Sequence, residues 1–443
     1  MKKTYFPVII CLILVFTLSF GCAKKKESET KFGYNRDTTA PFAYPDVRFA
    51  VISDLHVYDH SLGTSGSAFE KTMHSDRKLL LDSIDLLDFA INHIINADVK
   101  FVLVSGDLTK DGELVNHRIA AEKLRKLRAA GINVYVVPGN HDISNPVAVR
   151  YIDDRTENVT TINPEEFANI YRDFGYNSAI YRDSDSLSYV VEPVEGLWLL
   201  AIDSCRHREN TPETGAITSG SISQKTADWI DEVLRNSISR RKAVMAMQHH
   251  GFMEHWNGHA KLHPKYIVKD FKAFAESLAS YNVRLAFSGH YHAQDITKNE
   301  FGDKFIYDIE TGSLVTAPCP VRILDIKNNV VDIKSNTIVD KIYPGTGFAA
   351  NGIAFVKKTV VLEALDTLKK YKVSGKDADY IADAVGEAFT AHYFGDEDPA
   401  LRPPFDRKKL GLWGKFIYSQ QQYILDGLWV DLPPADNNVS LRL

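Results

Sequence analysis

Three apolar runs, Val47–Ile52, Lys100–Val104 and Val134–Val137, alternate with two segments of helical period. Leu80, Ile84, Leu87 and Ile91 share one face of residues 79–95, and a second helix runs over residues 113–130 to the stop residue Gly131. A β-α-β-α-β order at this spacing requires parallel strands joined by right-handed crossovers. An open sheet of that kind places its ligand sites beyond the carboxyl ends of the strands. Polar residues fall there each time: Asp54-Leu55-His56, Gly106-Asp107 and Gly139-Asn140-His141-Asp142. Two later strands, Ala243–Met247 and Arg284–Phe287, deliver His249-His250 and Gly289-His290-Tyr291-His292 in the same way.

The rest of the pattern sets the fold class. Leu187–Val191 and Leu197–Ile202 read as strands around Glu195-Gly196, and Phe305–Ile309, Val321–Ile326 and Val330–Ile333 as short strands after His292. Helices are expected at Ser223–Leu234 and Tyr266–Tyr281. The expectation is an α/β protein of two packed mixed β-sheets flanked by helices, with a C-terminal helical domain. Pro344-Gly345 marks the boundary, giving an α/β domain over residues 46–343 and a helical domain over 344–443. Helical faces there are Val361, Leu362, Leu365 and Leu368, then Ile381, Val385, Ala388 and Phe389, with a third helix over Leu412–Leu425.

The amino terminus reads as an export signal. Met1-Lys2-Lys3 precedes an apolar stretch from Phe6 to Phe20, and Gly21-Cys22 then meets Ala23-Lys24-Lys25-Lys26. A cysteine after a small residue resembles a bacterial lipoprotein signal over residues 1–22, which implies acylation of Cys22 and a membrane-surface, extracytoplasmic address in the cell envelope. Residues 23–45, polar at their start, are expected to be a flexible tether. Cys205 and Cys319 then remain, open to pairing or to standing as buried thiols. The formal net charge is −5, with no basic domain, which weighs against a nucleic-acid duplex as partner.

Asp54, His56, Asp107, Asn140, His249, His290 and His292 supply a mixed oxygen and imidazole donor set suited to Mn, Fe or Zn. Alternation along a strand would let Asp54 and His56, or His290 and His292, grip one ion. Two cations about 3.5–4 Å apart lower the pKa of a shared water and neutralise phosphoryl charge. A leaving alkoxide then needs a proton, and His141, next to a candidate ligand, is the residue placed to give it.

Together the motifs Asp-x-His, Gly-Asp, Gly-Asn-His-Asp, His and Gly-His-x-His resemble the calcineurin-like metallophosphoesterases over residues 47–335. That resemblance implies the family's four-layer sandwich. It also implies one metal on Asp54, His56, Asp107 and His292 and a second on Asp107, Asn140, His249 and His290, with Asp107 bridging and His141 catalytic. His250 is then left to face substrate or to pack. Gly-Asn-His-Asp, Ser105-Gly106-Asp107-Leu108-Thr109 and Glu310-Thr311-Gly312-Ser313 resemble the cyclic-nucleotide and glycerophosphodiester branch. Lys110 stands where purple acid phosphatases carry a tyrosine.

The implied function is hydrolysis of a small phosphodiester. A phosphomonoesterase and a non-catalytic scaffold lipoprotein are the alternatives. The helical tail would cover the cleft or mediate a homo-oligomer contact. Other residues read more simply: His255, His259 and His263 as a substrate-side loop, His207 with Arg206 and Arg208 as a solvated turn or a phosphate contact, Asp396, Glu397 and Asp398 as a solvated acidic turn, and Trp413, Phe416, Tyr418 and Trp429 as core.

Overall fold

The structure is a computed structural model that describes residues 29–36, 41–74 and 76–443. The signal and acylation site expected at residues 1–22 lie outside the described residues. No helix among the described residues is long and apolar enough to cross a membrane.

Two mixed sheets pack face to face. The first has the spatial order Asn438–Arg442, Val330–Thr337, Pro320–Lys327, Val47–Ile52, Phe101–Val104 and Asn133–Val136. Its last three strands are parallel to one another, as the crossover pattern requires. The second runs Asp295–Phe301, Lys304–Glu310, Leu285–Ser288, Ala243–Met247, Leu197–Ala201, Tyr189–Val194 and Tyr181–Arg182. Its centre is also parallel.

Both faces of the central strands are buried, which is why their sequences are continuously apolar. In Ala243–Met247, Met245 and Met247 face the inter-sheet core while Val244 and Ala246 meet the outer helices Gln224–Ser239 and Phe271–Ser280. Phe49 ties the sheets together, stacking on Phe101 at 4.8 Å and meeting Phe287 of the opposite sheet edge-on at 5.6 Å.

The change to helix after Pro344-Gly345 falls at Phe348, while the tether differs from expectation. The described part of the presumed tether is docked. Phe32 packs on Phe274 at 4.9 Å, and the buried Tyr44 donates its hydroxyl to the Val244 carbonyl and accepts from the Arg284 amide. These two aromatics, set in polar sequence, outweigh the composition around them.

The helical tail packs on the same core. Helices Phe348–Lys370, Lys376–Phe394 and Leu412–Leu428 share the inter-sheet core cluster, and Asn438–Arg442 adds an edge strand to the first sheet. The third tail helix is one turn longer than its apolar pattern indicates. Trp413 and Phe416 are about half exposed, contrary to a core reading, whereas Tyr418 and Trp429 are buried. The hairpin Val149–Ile152 with Arg155–Asn158 and the strand Asp295–Phe301 were not read from the sequence, because their polar residues hide the period-two pattern.

Candidate metal centre

All the motif residues converge at the carboxyl ends of the parallel strands. Backbone conformation does the aiming. Asp54, His56, Asp107, His290 and His292 all have positive φ, at 52°, 37°, 49°, 74° and 69°. Such residues cost roughly 1–3 kcal/mol each and persist only where the surroundings enforce them. Asp54 with His56, and His290 with His292, are therefore not aligned by strand alternation as expected. These residues lie past the strand ends in left-handed turns, and the second pair divides between two sites.

Asp54, His56 and His292 form one group, and Asp107, His249 and His290 another. In the first, His292 Nε2 is 3.3 Å from Asp54 Oδ1 and 3.3 Å from His56 Nε2. In the second, His249 Nε2 is 3.4 Å from Asp107 Oδ2 and 3.1 Å from Asn140 Oδ1. Donors bound at about 2.1 Å to one ion sit about 3.0–3.5 Å apart, so both groups match. Asp107 Oδ2 is also 3.6 Å from His56 Nε2, which puts this oxygen between the groups.

The ring orientations agree. His249 Nδ1 donates to the Ser105 carbonyl at 2.8 Å and His56 Nδ1 faces the Thr109 carbonyl at 3.3 Å, leaving Nε2 of each for the centre. Asp54 Oδ1 and His290 Nε2 are buried and have no hydrogen-bond partner among the described residues. Buried polar atoms rarely go unpaired, so these two orphans fit cation ligands. His250 does not compete. Its Nδ1 meets Ser204 Oγ at 2.8 Å and its Nε2 donates to the Thr218 carbonyl at 2.9 Å. It packs rather than facing substrate.

Glycines make room for the charged oxygens. A Cβ on Gly139 would lie 2.0 Å from Asp107 Oδ1, and one on Gly289 2.0 Å from Ser53 Oγ and 2.4 Å from Asp54 Oδ2. Gly139→Ala is therefore expected to push Asp107 out of place, costing about 1–3 kcal/mol and weakening metal retention. A denaturation midpoint and metal content equal to the parent's would contradict this.

Without cations the centre holds protons. Burial opposes the charged form of His249, but the Asp107 carboxylate, its hydrogen bond, Asp54 and the Ser105 carbonyl together push it up to about 9. Burial also favours neutral Asp107, yet His249 and His141 hold it well below the usual carboxylate range. Burial, with Lys78 near one ring and His250 near the other, keeps His56 and His290 neutral.

His249 is raised above its unfolded value, so its contribution to stability is complete below about pH 6.5 and is lost as pH rises through about 9. A ligand must shed that proton. Manganese added to chelated protein at pH 7.5 is expected to release about one proton per chain from this residue, read from the buffer dependence of the binding enthalpy. No release would contradict the assignment.

Second-tier contacts lie close by. Asp142 accepts from the Leu108, Thr109 and Gly139 amides and from Thr109 Oγ1, so it builds the loops rather than touching the cleft. His141 has its amide on Asp107 Oδ1 at 2.9 Å and its Nδ1 2.8 Å from Asp111 Oδ1. Asp111 in turn pairs with Lys110. Asp111 was not singled out in the sequence. It lies thirty residues before His141, and only the Asp-Gly turn after the Asp107 loop hints at it.

A cleft of about 190 Å³ opens over the centre, lined by His141, Asn140, Lys78, Arg77 and Tyr266, with Glu363 and Tyr393 contributed by the tail helices. The tail thus forms one wall of the cleft.

Other residues fall elsewhere. His255 is fully buried and bonded to Asp295 at 2.6 Å and Asp308 at 3.2 Å, and His259 is buried too, so these two belong to the interior and not to a substrate loop. Glu397 is buried against His392, which corrects its reading as solvated. His207 is buried on Asp203, in a different pocket from the centre. Cys205 and Cys319 are both free thiols.

The calcineurin-like phosphoesterase family model matches residues 47–294, more than half of the chain, and the protein belongs to this family. Over 196 residues, 40% of its length, the chain is 24% identical to the uncharacterized metallophosphoesterase-like protein YydB of Bacillus subtilis, of which it spans 37%. Among solved structures it is similar to a dimetal phosphatase from Danio rerio, with 17% identity, a TM-score of 0.46 and coverage of 66% of this chain and 96% of that one. It is also similar to a purple acid phosphatase from yellow lupin seeds, with 11% identity, a TM-score of 0.41 and coverage of 67% and 52%.

Proposed function

We propose that this chain is a phosphodiesterase that holds one metal on Asp54, His56, Asp107 and His292 and another on Asp107, Asn140, His249 and His290. The observation that carries this reading is that Asp107 Oδ2, a member of one three-residue donor group, lies 3.6 Å from His56 Nε2 of the other, beside a histidine with its own carboxylate partner. Bound cations of the Mn, Fe or Zn kind would supply an ionised water near neutral pH and neutralise phosphoryl charge.

The chain's own residues do the rest. Asp111 accepts from His141 Nδ1 and so fixes the ring with Nε2 toward the cleft. Burial lowers the tendency of His141 to carry charge, but Asp107 and Asp111 outweigh it and raise its pKa above the ordinary histidine value. A protonated Nε2 at the mouth of the cleft can hand its proton to a departing alkoxide. Asn140 and Lys78 stand ready to hold a phosphoryl oxygen. Arg77 is paired with Glu363, which lowers the net positive charge of the cleft lining and suits a singly charged diester better than a doubly charged monoester.

Acylation of Cys22 would tether the enzyme at the surface of the bacterial envelope, where it would meet extracytoplasmic phosphodiesters. Hydrolysis of bis-p-nitrophenyl phosphate by manganese-loaded protein, lost on chelation, tests the activity. Turnover of p-nitrophenyl phosphate alone would instead identify a monoesterase, and no turnover with any divalent metal would favour a scaffold.

A further inference from the structure

A second cavity of about 220 Å³ lies among the three tail helices. Its walls are mostly aliphatic: Val360 and Ala364 of the first helix, Ile381 and Val385 of the second, and Ile424 and Leu425 of the third. It is larger than the roughly 150 Å³ apolar cavity that suffices to bind benzene. The metal cleft and this cavity share a sill, since Arg77 and Glu363 line both. The sill is an ion pair, with Arg77 also donating to the Tyr393 hydroxyl. A phosphoryl group at the metal centre would therefore have a guanidinium beside it and an oily chamber beyond.

We propose that this cavity is a substrate subsite, and that the enzyme acts on phosphoesters carrying an apolar chain, which enters between the tail helices while the phosphoryl group occupies the dimetal cleft. The inference rests on the proposed hydrolytic function for its chemistry, though not for its binding. The occupant follows from adjacency: an apolar chamber that shares the Arg77–Glu363 pair with the metal cleft is matched by a molecule with an apolar chain next to its phosphoryl group.

Each methylene buried there is worth about a fourfold gain in binding. Octylphosphonate is expected to bind the full manganese-loaded chain at least about 60-fold tighter than methylphosphonate, the gain from burying about three of its seven added methylenes, measured calorimetrically. Ala364→Phe, which fills the chamber, is expected to erase that difference, and Val385→Phe offers the same test from the facing helix should the first variant not fold. In parallel, kcat/KM for p-nitrophenyl alkyl phosphates is expected to rise from methyl to octyl.

Equal affinity for the two phosphonates would overturn the subsite, as would a chain-length gain that survives both filling substitutions. Tight octylphosphonate binding without hydrolysis of any ester would uphold the subsite and overturn the enzymatic reading. Hydrolysis with no chain-length dependence in binding or rate would do the reverse. Faster turnover of monomeric ester than of the same ester held in phosphatidylcholine vesicles would identify a soluble source, and the opposite order a membrane source; either order upholds a chain-binding chamber.

Discussion

Asp107→Asn is expected to lower kcat/KM by about 10³-fold or more, because several kcal/mol of charge stabilisation from a two-metal centre are lost with it. Asp107 Oδ2 is 3.4 Å from His249 Nε2 on one side and 3.6 Å from His56 Nε2 on the other, so one oxygen serves both groups. A carboxamide keeps the shape but not the charge, and it offers only one good ligand atom. Metal content is expected to fall below two equivalents per chain. The same change removes the main influence that raises His249, so the proton released on metal addition at pH 7.5 is expected to shrink with it. A variant that retained two equivalents and full activity would show that the groups do not share this residue.

His141→Ala is expected to act in a different way. It leaves every proposed metal ligand in place, so metal content stays at the parent value. Turnover is expected to drop by about 10²–10⁴-fold on esters with alkyl leaving groups and far less on p-nitrophenyl esters, whose leaving group needs no proton. Asp111→Asn tests the positioning of the same ring, since Asp111 touches His141 and not the cleft. Its signature is a shift of the pH profile to lower pH with a smaller loss of rate, because one of the charges that raises His141 is gone. Equal losses for good and poor leaving groups in His141→Ala would remove the proton-donor role.

The centre was legible because its parts follow apolar strands at fixed points. Chain order alone brought Asp54, Asp107, Asn140, His249 and His290 to one end of two sheets, and the parallel topology left little freedom in the result. What could not be read was the local backbone. A run such as Asp54-Leu55-His56 looks like continued strand, and nothing in its letters reveals positive φ at both polar residues. Long-range pairing was equally hidden: Asp111 reaches His141 only after the third strand folds back, and Asp295 meets His255 across forty residues. The tail misled in a different sense. Its helices were periodic, yet in the first of them the buried face runs through Val356, Val360 and Leu368, with Leu362 outside the core, and the strand Asn438–Arg442 carries too few apolar residues to announce itself.

Anomalous scattering from manganese-soaked crystals measures the central claim most directly. Two peaks are expected, one among Asp54, His56 and His292 and one among Asn140, His249 and His290, with the Asp107 carboxylate between them. A single peak, or manganese only at the separate acidic group of Asp396, Asp431 and Asp436, would contradict it.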